Sequence, residues 1–69
     1  MKMTKTTIKN LLNADYMDAL AGFAAYLAEK KDMESALYRL DEKVWEIASD
    51  LDLTDEWLRI YSALMIAAE

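Results

Sequence analysis

The clearest pattern in the chain is a stripe of apolar residues in its middle third. The members of this stripe recur at alternating spacings of four and three, which keeps them on one face of a helix: Met33, Leu37, Leu40, Val44, Ile47 and Leu51. Asp32 precedes the stripe and is a favoured helix N-cap. We therefore predict a helix over about residues 33–51 that packs against a second helix through this face.

The closing segment, residues 57–69, is apolar in almost every direction around a helix. Its polar residues are Arg59, Ser62 and Glu69. We predict a helix over about residues 55–68, with Thr54 as its N-cap and a hydrophobic staple between Leu53 and Leu58. A helix that is apolar all round must be buried on all sides. Because a chain of 69 residues has little interior, we expect a second chain or a partner to cover part of this helix.

Another helix is predicted over about residues 14–31, with Asn13 as its N-cap. One of its faces carries small residues that permit a close approach, either within the chain or by another chain: Ala19, Ala21, Gly22, Ala24, Ala25 and Ala28. Residues 1–7 are expected to be flexible, with a short helical turn at about residues 7–12. Alternatively, Thr6 or Thr7 begins one continuous helix through Lys31.

These elements predict one all-α domain over residues 1–69. The connections are short, so consecutive helices should pack antiparallel as a small three-helix bundle with a possible extra turn at the N-terminus. Chains this small often need a disulfide, a metal or a partner chain, and this chain has no cysteine or histidine. We therefore expect a homodimer.

The composition argues against an enzyme and against a bound cofactor or metal ion. Histidine and cysteine, the usual bases, ligands and nucleophiles, are both missing from the sequence. Acidic residues are densest over residues 50–56, but this segment lacks the length and the glycine of a calcium-binding EF-hand loop. We predict a solvated turn there, with a weak divalent-ion site as the lesser alternative.

Charge is distributed unevenly along the chain, which has a net charge of −5. Residues 1–31 carry five lysines against three acids, whereas residues 32–69 carry three cations against ten acids. The acidic half would repel a phosphate backbone, so we expect no direct binding of nucleic acid. The acids either keep a small apolar protein soluble or face a basic partner, including a surface that normally holds nucleic acid.

The function that these features favour is protein–protein binding. Residues predicted to bind the partner include large apolar side chains and the acids of the 33–51 helix: Tyr38, Asp41, Glu42, Trp45, Glu46, Trp57, Ile60, Leu64 and Ile66. By analogy with small acidic inhibitors from phages and mobile elements, we expect an accessory regulator or inhibitor that blocks its partner sterically. An assembly subunit of a larger helical oligomer is the alternative, and a DNA-binding helix-turn-helix regulator is less favoured.

The longest apolar run covers residues 19–28, which is about half of the roughly 20 residues that a membrane span needs. Polar and charged residues also interrupt the segment that follows the N-terminal lysines, where a signal peptide would be apolar. We therefore expect a cytoplasmic protein that does not insert into a membrane.

Overall fold

The computed structural model describes residues 2–68 and contains four α-helices in that range. They are α1 (Lys5–Leu12), α2 (Tyr16–Ala28), α3 (Met33–Leu51) and α4 (Thr54–Ala68). The predicted all-α class is confirmed. A complete first helix joins the three that the sequence predicted, so the three-helix description is too simple. The predicted homodimer stays a prediction.

The N-terminal segment packs on the fold, and α1 begins at Lys5, earlier than the predicted turn at about residues 7–12. The predicted flexibility of residues 1–7 stays a prediction. Thr4 is the N-cap of α1, and its hydroxyl oxygen accepts a hydrogen bond from the Thr7 backbone N–H at 3.2 Å. Met3, Ile8 and Leu12 are buried in the core. Their apolar side chains draw the segment onto the other helices, although lysines and threonines surround them. The part of the prediction that concerns Met1 lies outside the described residues.

The predicted break between the first two helices is confirmed, but Asn13 has a different role from the predicted one. Asn13 is the C-cap of α1, where its side-chain amide donates to the Lys9 carbonyl at 2.9 Å, and Asp15 occupies the N-cap position of α2. The Leu11 side chain of α1 packs against Gly22 of α2, and a methyl group at Gly22 would require the end of that side chain to move.

The helix α3 follows the prediction most closely. Asp32 caps it, with one carboxylate oxygen accepting from the Ser35 backbone N–H at 3.2 Å and the other from the Ser35 hydroxyl at 2.9 Å. Four members of the predicted stripe are buried, and Met33 and Leu51 pack against the core. Asp52 ends the helix in the left-handed conformation, at φ 59°.

The helices α3 and α4 are antiparallel. Trp57 of α4 contacts α3 and is fully buried. The Trp57 ring lies edge-on to Phe23 of α2, with 5.1 Å between ring centroids, and 5.9 Å from the ring of Tyr61. The Trp57 indole N–H donates to the Asp41 carboxylate at 2.7 Å. One side chain thus connects three helices. No helix within residues 2–68 combines the length and hydropathy needed to cross a bilayer.

Candidate protein-binding groove

Three of the predicted partner-binding residues belong to the core of the single chain. Trp57, Ile60 and Leu64 are at most 2% exposed. They lie on the face of α4 that packs against α2 and α3, so the assignment of these side chains to a partner surface is corrected. Because this helix is apolar all round, its sequence does not indicate which face packs into the core. Our prediction therefore assigned core residues of α4 to the partner-binding surface.

The outward face of α4 carries a different apolar set. Leu58, Met65 and Ile66 are 46%, 42% and 73% exposed, and only Ile66 was among the predicted residues. Leu58 and Met65 are seven residues apart and therefore share a helix face. That spacing was visible in the sequence, but our prediction assigned Leu58 to a hydrophobic staple with Leu53. The observed exposure of Leu58 leaves that staple without support.

One end of the exposed surface is a groove between α3 and α4 of about 90 Å³. Its lining combines the first half of α3 with the end of α4: Glu34, Leu37, Tyr38, Tyr61, Met65 and Ala68. Partial burial raises the pKa of the Tyr61 phenol above its usual range, and the nearby Asp41 carboxylate and Tyr38 raise it further. These groups therefore form one cluster with the buried Trp57 beneath it.

Helix geometry extends this surface toward the other end of α3. Trp45 follows Tyr38 by seven residues and Asp41 by four, so all three lie on one flank of the helix. Because α3 and α4 are antiparallel, Trp45 falls at the end of the surface where Leu58 lies. We call the surface defined by Tyr38, Trp45, Leu58 and Met65 the α3–α4 groove. Tyr38 and Trp45 are 61% and 43% exposed, as a binding surface requires.

The margins of the α3–α4 groove are acidic. Glu34 lines it, Asp41 lies on the same flank of α3, and Glu42 is exposed one turn after Tyr38. No lysine or arginine is part of the lining within the described range. The predicted residue Glu46 does not belong here, because it lies with Lys5 and Lys43 on the opposite flank of α3.

The predicted residues thus divide into four groups. The structure places Tyr38, Asp41 and Trp45 on one flank of α3 with Glu42 at the margin, whereas Ile66 is exposed on the outer face of α4. Three others are in the core, and Glu46 is on the far flank. No cluster of three or more potential metal-ligating side chains occurs within residues 2–68.

Comparison with known proteins does not indicate a function, so the α3–α4 groove is the main structural evidence for one. No protein-family model matches the chain, and searches of curated proteins and of solved structures give no significant match.

Proposed function

We propose that the protein is a protein–protein interaction module whose α3–α4 groove receives a basic amphipathic helix of another protein. By binding that helix, the protein acts as an accessory regulator or inhibitor of the other protein. The observation that carries this proposal is a row of exposed large apolar side chains with acids along its margins. A homodimer that uses the same surface, and an assembly subunit built from it, are the competing outcomes of the tests below.

The apolar part of the groove supports binding to another polypeptide. Single exposed apolar residues are normal on a protein surface, whereas contiguous rows of them mark interaction sites. Here four of the seven exposed large apolar residues of the described chain lie along the α3–α4 groove. Tryptophan and tyrosine supply much of the binding energy at protein interfaces, and Trp45 and Tyr38 provide one of each.

The charges favour a basic occupant over a second copy of this chain. A twofold dimer formed through the groove would place Glu34, Asp41 and Glu42 of one copy close to the same acids of the other. Like charges across an interface oppose association, whereas lysines or arginines beside an apolar helix face would complement these acids and steer the encounter. A helix in a groove is also a common mode of peptide recognition.

The decisive experiment uses a synthetic amphipathic peptide of leucine and lysine, roughly 18 residues or five helical turns long. A peptide of the same composition with scrambled order has no apolar face and is its control. Binding is followed by NMR chemical shifts and by the fluorescence of Trp45 in a Trp57→Phe background. We expect saturable shifts at Tyr38, Trp45 and Met65, with a blue shift of the Trp45 emission as water is excluded.

Matched methionine variants locate the binding surface. Met65→Ser should weaken binding of the amphipathic peptide. Met17→Ser is the matched control and should not weaken it, because Met17 is an exposed methionine on α2, outside the groove. The proposal is overturned if the scrambled peptide binds as well, or if the two variants have the same effect.

Light scattering after size exclusion decides between the proposal and self-association. The acidic margins of the groove favour a basic partner over the homodimer expected from the sequence, so this proposal predicts a monomeric mass at high protein concentration, for Met65→Ser as well as for the parent. A parent dimer that Met65→Ser dissociates would show that a second copy is the occupant and would support the assembly alternative.

A further inference from the structure

On the opposite flank of α3, three parts of the chain surround an open concavity of about 250 Å³ that carries three basic residues. Its lining comes from the N-terminal segment, the end of α2 and the first half of α3: Met3, Tyr26, Lys30, Ala36, Arg39, Leu40 and Lys43. A second hollow of about 340 Å³ shares four of these residues and adds Lys2 and Thr4. We call the two together the basic concavity.

The charge of the basic concavity is opposite to that of the chain as a whole. Lys2, Lys30, Arg39 and Lys43 contribute four of the eight cations of a protein whose net charge is −5. Among the described residues, neither lining includes an aspartate or a glutamate, although Glu46 and Asp50 share the adjoining hollow with Lys43. Each of the two hollows is lined by three of the cations, which repel each other, and a bound anion would relieve that repulsion.

Two of the four cations are held in place by the fold. The Lys43 ammonium donates a hydrogen bond to the Met3 carbonyl at 2.8 Å, which connects α3 to the N-terminal segment. The Lys30 ammonium lies 4.5 Å from the centre of the Tyr26 ring, a cation–π distance. Arg39 lies one turn before Lys43 on α3, and both side chains therefore point toward the same hollow.

We infer that the basic concavity is a binding site for a small anion that carries two phosphate groups. A phosphate group has about 1.5 to 2 negative charges near pH 7, so two groups match four cations, which a single carboxylate would not. The Arg39 guanidinium offers the planar pair of donors that phosphate oxygens accept, and the lysines add flexible point charges. A long nucleic acid fits less well, since its backbone would extend over the acidic remainder of the protein.

The test is an NMR titration of the labelled protein with inorganic pyrophosphate at constant ionic strength. We expect saturable shifts confined to residues 2–4, Tyr26, Lys30, Arg39 and Lys43. Arg39→Gln and Lys30→Gln should each weaken binding by about tenfold, because each removes a charged hydrogen-bond donor. These two are preferred to Lys43 variants, since Lys43 also holds the N-terminal segment.

The control is Lys9→Gln, which removes the same charge from a lysine that lines neither hollow. Equal weakening by Lys9→Gln, or shifts spread over all lysines, would show nonspecific attraction and overturn the assignment. A short DNA duplex that binds more tightly than pyrophosphate and also shifts Lys9 would overturn it in favour of a nucleic-acid backbone. The leucine–lysine peptide tests the groove independently, because pyrophosphate has no apolar surface to place there.

Discussion

The two flanks of α3 have opposite chemistry although they belong to one 19-residue helix. One flank carries Tyr38, Asp41 and Trp45 and borders the apolar, acidic α3–α4 groove. The other carries Arg39 and Lys43, with Glu46 further along the helix, and borders the basic concavity. These residues are close neighbours in the sequence. The chemical difference between the flanks therefore arises because the helix directs their side chains to opposite sides, and because a different part of the chain packs against each side.

Within residues 2–68, a long-range hydrogen bond joins each flank to another part of the molecule, and the two bonds differ in kind. On the groove flank, the Trp57 indole donates to Asp41 at 2.7 Å, and Trp57 is at the centre of the core. On the basic flank, the Lys43 ammonium donates to the Met3 carbonyl at 2.8 Å, at the edge of the molecule. The groove is therefore coupled to the stability of the whole domain, whereas the basic concavity depends on a peripheral contact.

Removal of Trp57 should have the largest effect. Trp57→Ala leaves a cavity between three helices and should cost about 3–5 kcal/mol in the free energy of unfolding. A domain of this size has a total stability of only about 3–10 kcal/mol. We expect partial or complete loss of helical circular dichroism at 25 °C, together with loss of peptide binding to the groove. Retention of the parent's urea midpoint would contradict the central position of Trp57.

Removal of the hydrogen bond on the groove flank should have the next largest effect on stability. Asp41→Ala leaves the indole N–H of Trp57 without its acceptor in the core, which should lower the free energy of unfolding by about 1–3 kcal/mol. Urea denaturation measures this change. The matched control is Glu42→Ala, the neighbouring exposed acid, which should change stability by less than about 0.5 kcal/mol. Equal effects of the two substitutions would show that the hydrogen bond contributes nothing specific.

Removal of the hydrogen bond on the basic flank should lower the free energy of unfolding by a smaller amount. Lys43→Met keeps most of the side-chain length but removes the donor to the Met3 carbonyl, and should cost about 0.5–1 kcal/mol. Because this contact is peripheral, the change should appear first as faster amide hydrogen exchange in α1, with α4 unaffected. Lys9→Met is the control for loss of a surface lysine. A larger loss of stability from Lys43→Met than from Asp41→Ala would reverse the comparison between the flanks.

The sequence predicted the elements that carry strong local signals. The heptad stripe and the Asp32 cap placed α3 correctly, and the Asn13 region marked the break before α2. The role of α1 was missed because three apolar residues among lysines and threonines form too short a pattern to predict packing. Its burial depends on contacts with the distant helices α2 and α3.

The candidate groove was predicted only on one side. On α3, an apolar stripe contrasts with polar positions, so Tyr38 and Trp45 could be recognised as lying off the core face. On α4 no such contrast exists, and the choice between Trp57 and Leu58 as the inward residue depends on the neighbouring helices. The basic concavity was also not predicted, because its four cations come from segments that are distant in sequence.

The smallest expected effect concerns the start of α3, which belongs to neither flank. Hydrogen bonds from the backbone and side chain of Ser35 hold the pKa of the Asp32 carboxyl below its ordinary value of 3.8. The ionised carboxylate therefore contributes stability that is fully present above about pH 4 and is lost as the pH falls through the lower pKa of the folded state.

Asp32→Asn keeps a capping side chain but cannot ionise, so it isolates the contribution of the charge. The parent should have the higher thermal midpoint at neutral pH, and this difference should shrink as the pH falls below about 4. Binding of the amphipathic peptide should stay unchanged at neutral pH, because the substitution does not alter the α3–α4 groove. A difference in midpoint that stayed constant into strong acid would show that the Asp32 charge plays no part in the cap.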